Sequence, residues 1–534
     1  MKRYAILLAV LTLPLGLRAQ NLNPEVQVTN EYETQLNDVV KQGPAMTVPD
    51  SMLRFDYHFD YSVFDSPYKG SYEFTPYSVS ITPTSGSYDG RRLYLRAGAG
   101  WVLKPELDMV WSALDGKKAA VTVFAKGDGF YGKYLSVAPH TFLSDKSVLY
   151  NGFDFGTTAG ADTRFNIGKS VLRAEIGYDG IFTGHEIDHG MTGHSPYALV
   201  RIGSNSASDF SYSASVLYRY VNDYKEGWGK ADDQDHEVRV EAGLSPYNNE
   251  KTGISLDMLY AYNKWYMGAS LRPHIFFSTP SWDVDAGFRV GWHADKTEGK
   301  FNICPDVRAT LHLLKRHLDV YAGAVGQEHL PGYWDYKTQA HRYFITYAEP
   351  EPFREIADLF LGVKGFTGFG LRGDLKAGYL FLENAPFWAV SANGLETLLF
   401  QDCSFLHADL ELAWSSSRID TEASVHYKWM PGGVGDRVFE PAAVTAHAMF
   451  RYNWMKRIYA GISGDMSTAR KAAVGDNVVE MPWYIDLGIH AGYKLNPKVS
   501  FWLKGSNLLN QEIRQSPIYC QYGPSVIAGV TLSL

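Results

Sequence analysis

The residues of this chain that most resemble catalytic machinery are His185, Glu186 and His189, in the run His-Glu-Ile-Asp-His. Two histidines four apart, with a glutamate after the first, hold zinc when they share one face of a helix, and the glutamate then serves as general base. Here the run lies between Gly184 and Gly190, directly after an alternating stretch that ends at Phe182, so a loop is expected instead. The longer metzincin continuation also fails at Gly193 and His194. His185 and His189 are therefore read as adventitious surface metal ligands at most. A second cluster, Asp232, Asp233, Asp235 and Glu237, lacks the glycine and the spacing of a calcium loop. It reads as a charged outer loop, with loose divalent-cation binding as the alternative. A third, Tyr333, Trp334 and Tyr336 in the aromatic stretch 327–344, offers rings to a ligand or a protein partner, or to the packing of the loop itself. No phosphate-cradling glycine loop is present, and the run Gly461 to Asp465 lacks the pattern of a serine nucleophile elbow. No catalytic residue and no cofactor are expected, and the chain does not read as an enzyme.

The elements that carry these residues are strands. Aromatic residues make up 14% of the 534 and glycines number 50, a composition of many strands and turns. The net charge of -8 offers no basic field for nucleic acid. Cys304, Cys403 and Cys520 are too few and too far apart for a disulfide framework or a zinc finger. Lys2 and Arg3 precede an apolar run to Leu17, and Ala19 offers a cleavage site, so residues 1–19 read as a signal peptide. Beyond it no window supplies the roughly 20 apolar residues of a transmembrane helix. Residues 20–88 are polar and proline-punctuated, apart from one aromatic-faced alternation from Leu53 to Val63, and read as an arm at the periplasmic mouth or inside the lumen.

From residue 89 to 534 the chain alternates. Phe210, Tyr212, Ala214, Val216, Tyr218 and Tyr220 share one face, and Leu406, Ala408, Leu410, Leu412 and Trp414 another. The alternating stretches run about 10 to 13 residues, longer than soluble strands. Tyr218, Tyr220, Trp414, Tyr452 and Trp454 cluster at their ends, and short turns trade with long loops, among them 182–194, 222–235, 327–352, 384–402, 430–439 and 467–480. That pattern predicts an all-β, antiparallel outer-membrane barrel of about 22 strands, within a range of roughly 18 to 26. Glu237, Arg239, Glu241, Asp409, Glu411 and Arg451 fall on the luminal side of the alternation. A barrel of this width needs a filling, from the arm 20–88, from folded-in loops or from a partner protein.

The end of the chain sharpens this. Val499, Phe501 and Leu503 lead into Asn507, Leu508, Leu509 and Asn510, and Val530 to Leu534 close the sequence on a strand. This tail resembles the end of TonB-dependent receptor barrels. The resemblance implies a receptor or channel in the bacterial outer membrane, embedded in its lipids. It departs from the family in its first part: the segment 20–88 is smaller than the family's separate plug domain, and it shows no TonB-contacting segment. A plugless relative is therefore expected. Two functions follow: a receptor-like barrel that captures or passes a solute, or a non-transporting scaffold subunit of a larger outer-membrane complex, such as the machinery that inserts β-barrels. Both readings expect outer-membrane or surface protein partners, and neither expects nucleic acid. A surface metalloprotease, resting on His185 to His189, is the third and weakest.

Overall fold

The computed structural model describes residues 92–534 except 102, 137–147, 186–190, 205–209, 226–232, 249–251, 296–297, 315–316, 340–345, 348, 368–369, 391–395, 432–439, 456, 475–476, 517–518 and 522. Within that range the chain forms β1 (Leu93–Trp101), β2 (Glu106–Asp115), β3 (Ala119–Ser136), β4 (Val148–Ile167), β5 (Ser170–His185), β6 (Met191–Ser204), β7 (Ser211–Lys225), β8 (Asp233–Asn248) and β9 (Thr252–Tyr262). It continues with β10 (Met267–Ser278), β11 (Trp282–Ala294), β12 (Gly299–His312), β13 (Leu318–His329), helix α1 (Tyr333–Gln339), β14 (Thr346–Tyr347), β15 (Phe353–Phe366), β16 (Leu371–Val390), β17 (Glu396–Ser415) and β18 (Ile419–Trp429). It ends with β19 (Val444–Trp454), β20 (Ile458–Ser467), β21 (Arg470–Val474), β22 (Asn477–Met481), β23 (Tyr484–Asn496), β24 (Val499–Ser506), β25 (Ile513–Ser516), β26 (Tyr519–Gln521) and β27 (Ser525–Ser533).

Twenty-two of these strands form one closed antiparallel barrel: β1 to β13, β15 to β20, β23, β24 and β27. Closure is direct. Strand β1 pairs with β27 in a register that runs from Tyr94 opposite Ser533 to Trp101 opposite Val526. The Leu534 carbonyl accepts from the Arg92 and Leu93 amides at 2.5 and 2.8 Å. Trp502 of β24 lies across this seam on the inner wall. A Cβ at Gly98 of β1 or at Gly529 of β27 would come within 2.5 or 2.3 Å of its ring, so both positions need glycine. The run Asn507 to Asn510 is the turn that leaves β24. Both asparagines have positive φ, 50° and 52°, a conformation asparagine tolerates better than most residues.

Period two decides which face meets lipid. On β15, Leu359, Leu361 and Val363 are 48, 59 and 40% exposed, and Phe360 between them is 8% exposed. A soluble protein does not display such a belt; hydrocarbon is its solvent. On β11, Trp282 and Trp292 share the outer face near opposite ends. Ten residues at about 3.3 Å, tilted by about 40°, separate them by roughly 25 Å along the membrane normal, the height of an outer-membrane apolar band. The protein is an integral outer-membrane barrel. Its periplasmic end carries both Arg92 and Leu534 and short turns, such as the two residues between β4 and β5.

Several strands outrun the expected length. β4, β16 and β17 each have 20 residues. Most of 384–402, expected as a loop, belongs to β16 and β17, and most of 467–480 is the hairpin β21–β22. The reason is physical. Above the membrane a strand has no lipid face, so its side chains stop alternating. On β16, Phe387, Ala389 and Val390 are buried, and Trp388, on the opposite face from Phe387, is half-buried against Tyr336 of α1.

Candidate functional site: the roofed lumen

The inner wall is polar and divides into two unlike sectors. Along β15 to β19, most of the charges are matched. Asp358 accepts from Lys376 Nζ at 2.7 Å and lies 2.7 Å from His407 Nε2. Asp409 meets His407 Nδ1 at 3.2 Å and His426 Nδ1 at 2.7 Å. Arg451 donates to Asp420 at 2.8 Å. Glu411 is the exception: it stands opposite Asp374 on β16, another carboxylate.

The second sector, β4 to β12, is dominated by arginine. Arg219 is matched: it donates to Asp179 at 2.8 Å and to the Ser195 hydroxyl at 2.6 Å, beneath the rings of Tyr197 and Trp334. Arg272 and Arg289 both reach Asp306. Arg164, Arg173 and Arg201 differ. They stand directly opposite one another on β4, β5 and β6, and no ion pair joins any of them to a carboxylate among the described residues. Among the described residues, Glu241 of β8 accepts only a long hydrogen bond from Ser215, 3.4 Å.

Above this sector the chain after β13 folds into the barrel. Tyr333, Trp334 and Tyr336, expected on an external loop, form α1 and are 2, 4 and 4% exposed. Their rings therefore meet protein. Tyr333 stacks on Trp265, with centroids 5.7 Å apart, and donates to Asp223 at 2.7 Å. Lys337 Nζ donates to the same carboxylate oxygen at 2.8 Å, and both side chains are essentially sealed. Glu237 accepts the Trp334 amide at 3.1 Å, and Arg239 donates to the Leu330 carbonyl at 2.9 Å. Gly332 passes so close to Glu237 that a Cβ would lie 2.5 Å from its carboxylate. Tyr266, in the turn between β9 and β10, donates to the Pro331 carbonyl at 2.5 Å, and burial pushes its phenol far above the usual range. On the other flank of α1, Tyr336 packs edge-on against Trp388 of β16 and beside Leu398 of β17. The helix is thus a strut from the β7–β10 wall to the β16–β17 hairpin, across the outer mouth. Of the three fillings the barrel width demands, folded-in loops are present.

Below the strut, against the arginine sector, lies a cavity of about 830 Å³. Arg173, Arg201, Arg239, Arg272 and Arg289 border it, with Glu241, Asp257 and Glu328.

The structure matches solved proteins over most of its length. The siderophore receptor PirA from Acinetobacter baumannii superposes with a TM-score of 0.63 at 11% identity, covering 83% of this chain and 80% of that one. The FrpB iron transporter from Neisseria meningitidis gives 0.65 at 10%, with 83% and 82% covered. A variant of the ferric enterobactin receptor PfeA from Pseudomonas aeruginosa, in complex with enterobactin, gives 0.63 at 10%, with 83% and 81% covered. The fold is that of the TonB-dependent receptor barrels. No family model and no curated protein matches the sequence itself.

The remaining expected sites fall elsewhere. His185 is the last residue of β5, and Glu186 to His189 lie outside the described residues, as does the arm 20–88. Asp235 is spent on the backbone, accepting the His236 and Lys264 amides at 2.8 Å each. Two residues central to the strut, Asp223 and Lys337, were not singled out by sequence. Asp223 fell in a stretch expected to be a loop, and nothing local to it marks a partner 114 residues away.

Proposed function

We propose that the protein is a receptor-like outer-membrane barrel that captures or passes a small solute. One observation supports this above the others: a 22-strand barrel of the receptor fold holds a solute-sized cavity under a folded-in strut. The relatives named above suggest iron chelates of the siderophore class as the first solutes to test. The test compares a deletion strain with its parent for uptake of labelled ferric chelates, with complementation from a plasmid. Uptake that falls on deletion and returns on complementation supports the reading; unchanged uptake of every chelate counts against it.

The second reading is a plugless scaffold subunit of a larger outer-membrane complex, and the buried strut favours it, because a mouth braced on both walls suits a barrel that passes nothing. Purification from native membranes in mild detergent separates the two. A stoichiometric protein partner, with no uptake defect on deletion, would establish the scaffold.

A further inference from the structure

We propose that the cavity bordered by β5 to β11 and β13 is a binding site for a small multivalent oxyanion, a carboxylate or phosphate. This rests on the receptor reading above and gives its ligand a chemical class.

The argument begins with register. Arg164, Arg173 and Arg201 are direct cross-strand partners. Their neighbours Phe165, Ile176, Val200 and Ile202 are exposed on the lipid side, so the three guanidiniums point inward. Like charges directly opposite each other on a sheet are destabilising. Elsewhere on the inner wall, Arg219, Arg272, Arg289, Arg354 and Arg451 each meet a carboxylate. This row does not, among the described residues. Arg164 Nε is moreover buried without a hydrogen-bond acceptor there, a condition that native structures rarely leave uncompensated.

The cavity turns that imbalance into a site. Arg173 and Arg201 open onto it, and five arginines border it against three carboxylates. Of those three, Asp257 is already held by Arg272 and His274, and Glu328 by His293 and Asn302. The hydroxyls of Ser213, Ser215 and Ser270 add neutral donors on the same surface. Guanidinium forks match carboxylate and phosphate oxygens in pairs. The volume of about 830 Å³ falls within the usual span for small-molecule sites. A neutral sugar would leave the arginine row unbalanced, and a polyamine would be repelled.

The experiment is isothermal titration of the full-length protein, purified in detergent at low ionic strength. Citrate and pyrophosphate are the probes, with sucrose and spermidine as neutral and cationic controls. Both anions should bind and both controls should not. The double variant Arg173→Gln, Arg201→Gln should weaken anion binding at least tenfold while keeping heat-modifiable migration on gels, which reports an intact barrel. Absence of anion binding in the wild type, or binding undiminished in an intact double variant, overturns the proposal. The receptor reading is judged separately by uptake. A protein that binds citrate but supports no uptake retains the site and loses the receptor role; one that supports uptake but binds neither anion retains the role and loses the site.

Discussion

The two sectors of the inner wall are built from the same backbone and face the same lumen, yet they handle charge in opposite ways. On β15 to β19 the carboxylates Asp358, Asp409 and Asp420 have basic partners within 2.8 Å. On β4 to β6 three arginines stand in a row without one among the described residues. A matched wall needs nothing from outside and stiffens the barrel. An unmatched wall leaves Arg173 and Arg201 exposed to the lumen, where they retain attraction for an anion. The difference separates scaffold from site within one continuous sheet.

The largest effect should come where matching is complete and water is excluded. Asp223→Ala leaves Lys337 charged and sealed, and removing one partner of such a pair typically costs about 3–5 kcal/mol. The strut should detach, seen as rapid hydrogen exchange and proteolysis at 330–339 with the barrel strands still protected. The paired change Asp223→Asn with Lys337→Met should recover most of the loss; if it fails as badly as the single variant, the charge pair is not what holds α1. Next comes Gly332→Ala, whose new methyl meets the Glu237 carboxylate. Overpacking of this kind costs about 1–3 kcal/mol, and the same exchange measurement should show a partial release. Asp409→Asn, on the matched wall, removes a charged acceptor from His407 and His426 and should lower barrel stability in denaturant by about 1–2 kcal/mol. Arg201→Gln, on the unmatched wall, should do the reverse: relief of a like-charge pair should leave stability unchanged or raise it by about 0.2–1 kcal/mol. A substantial loss from Arg201→Gln would mean the row is matched after all, and would erase the contrast between the two sectors.

The barrel was legible because period two survives wherever one face meets lipid and the other meets water. Leu406 to Trp414 shows it without a fault. The tail from Val499 to Leu534 was legible for a different reason, since a closed barrel must pair its last strand with its first. What stayed hidden depends on pairing across strands. Arg164, Arg173 and Arg201 look unrelated in sequence; only the register sets them side by side. The fate of Tyr333, Trp334 and Tyr336 was hidden likewise, since aromatic rings in a loop serve packing and recognition equally well until the chain's path is known. The extracellular end of β16 escaped because Phe387 to Val390 meet protein on both faces, so apolar residues follow one another there.

The seam between β1 and β27 has a kinetic meaning. Every other barrel pairing joins strands close in sequence and can form as the chain arrives. This one joins Leu93 to Leu534, so it waits for the whole sheet and pays the largest loop-closure entropy. Until then both edge strands offer unpaired amides to any neighbour. Trp502 sits where the two edges meet, over Gly98 and Gly529, and its flat ring can slide across only if neither strand carries a side chain there. Those two glycines therefore act as a latch for the last event of assembly. A bulky residue at either would leave the sheet formed but unzipped, an open ribbon held at the stage where insertion machinery must still hold it.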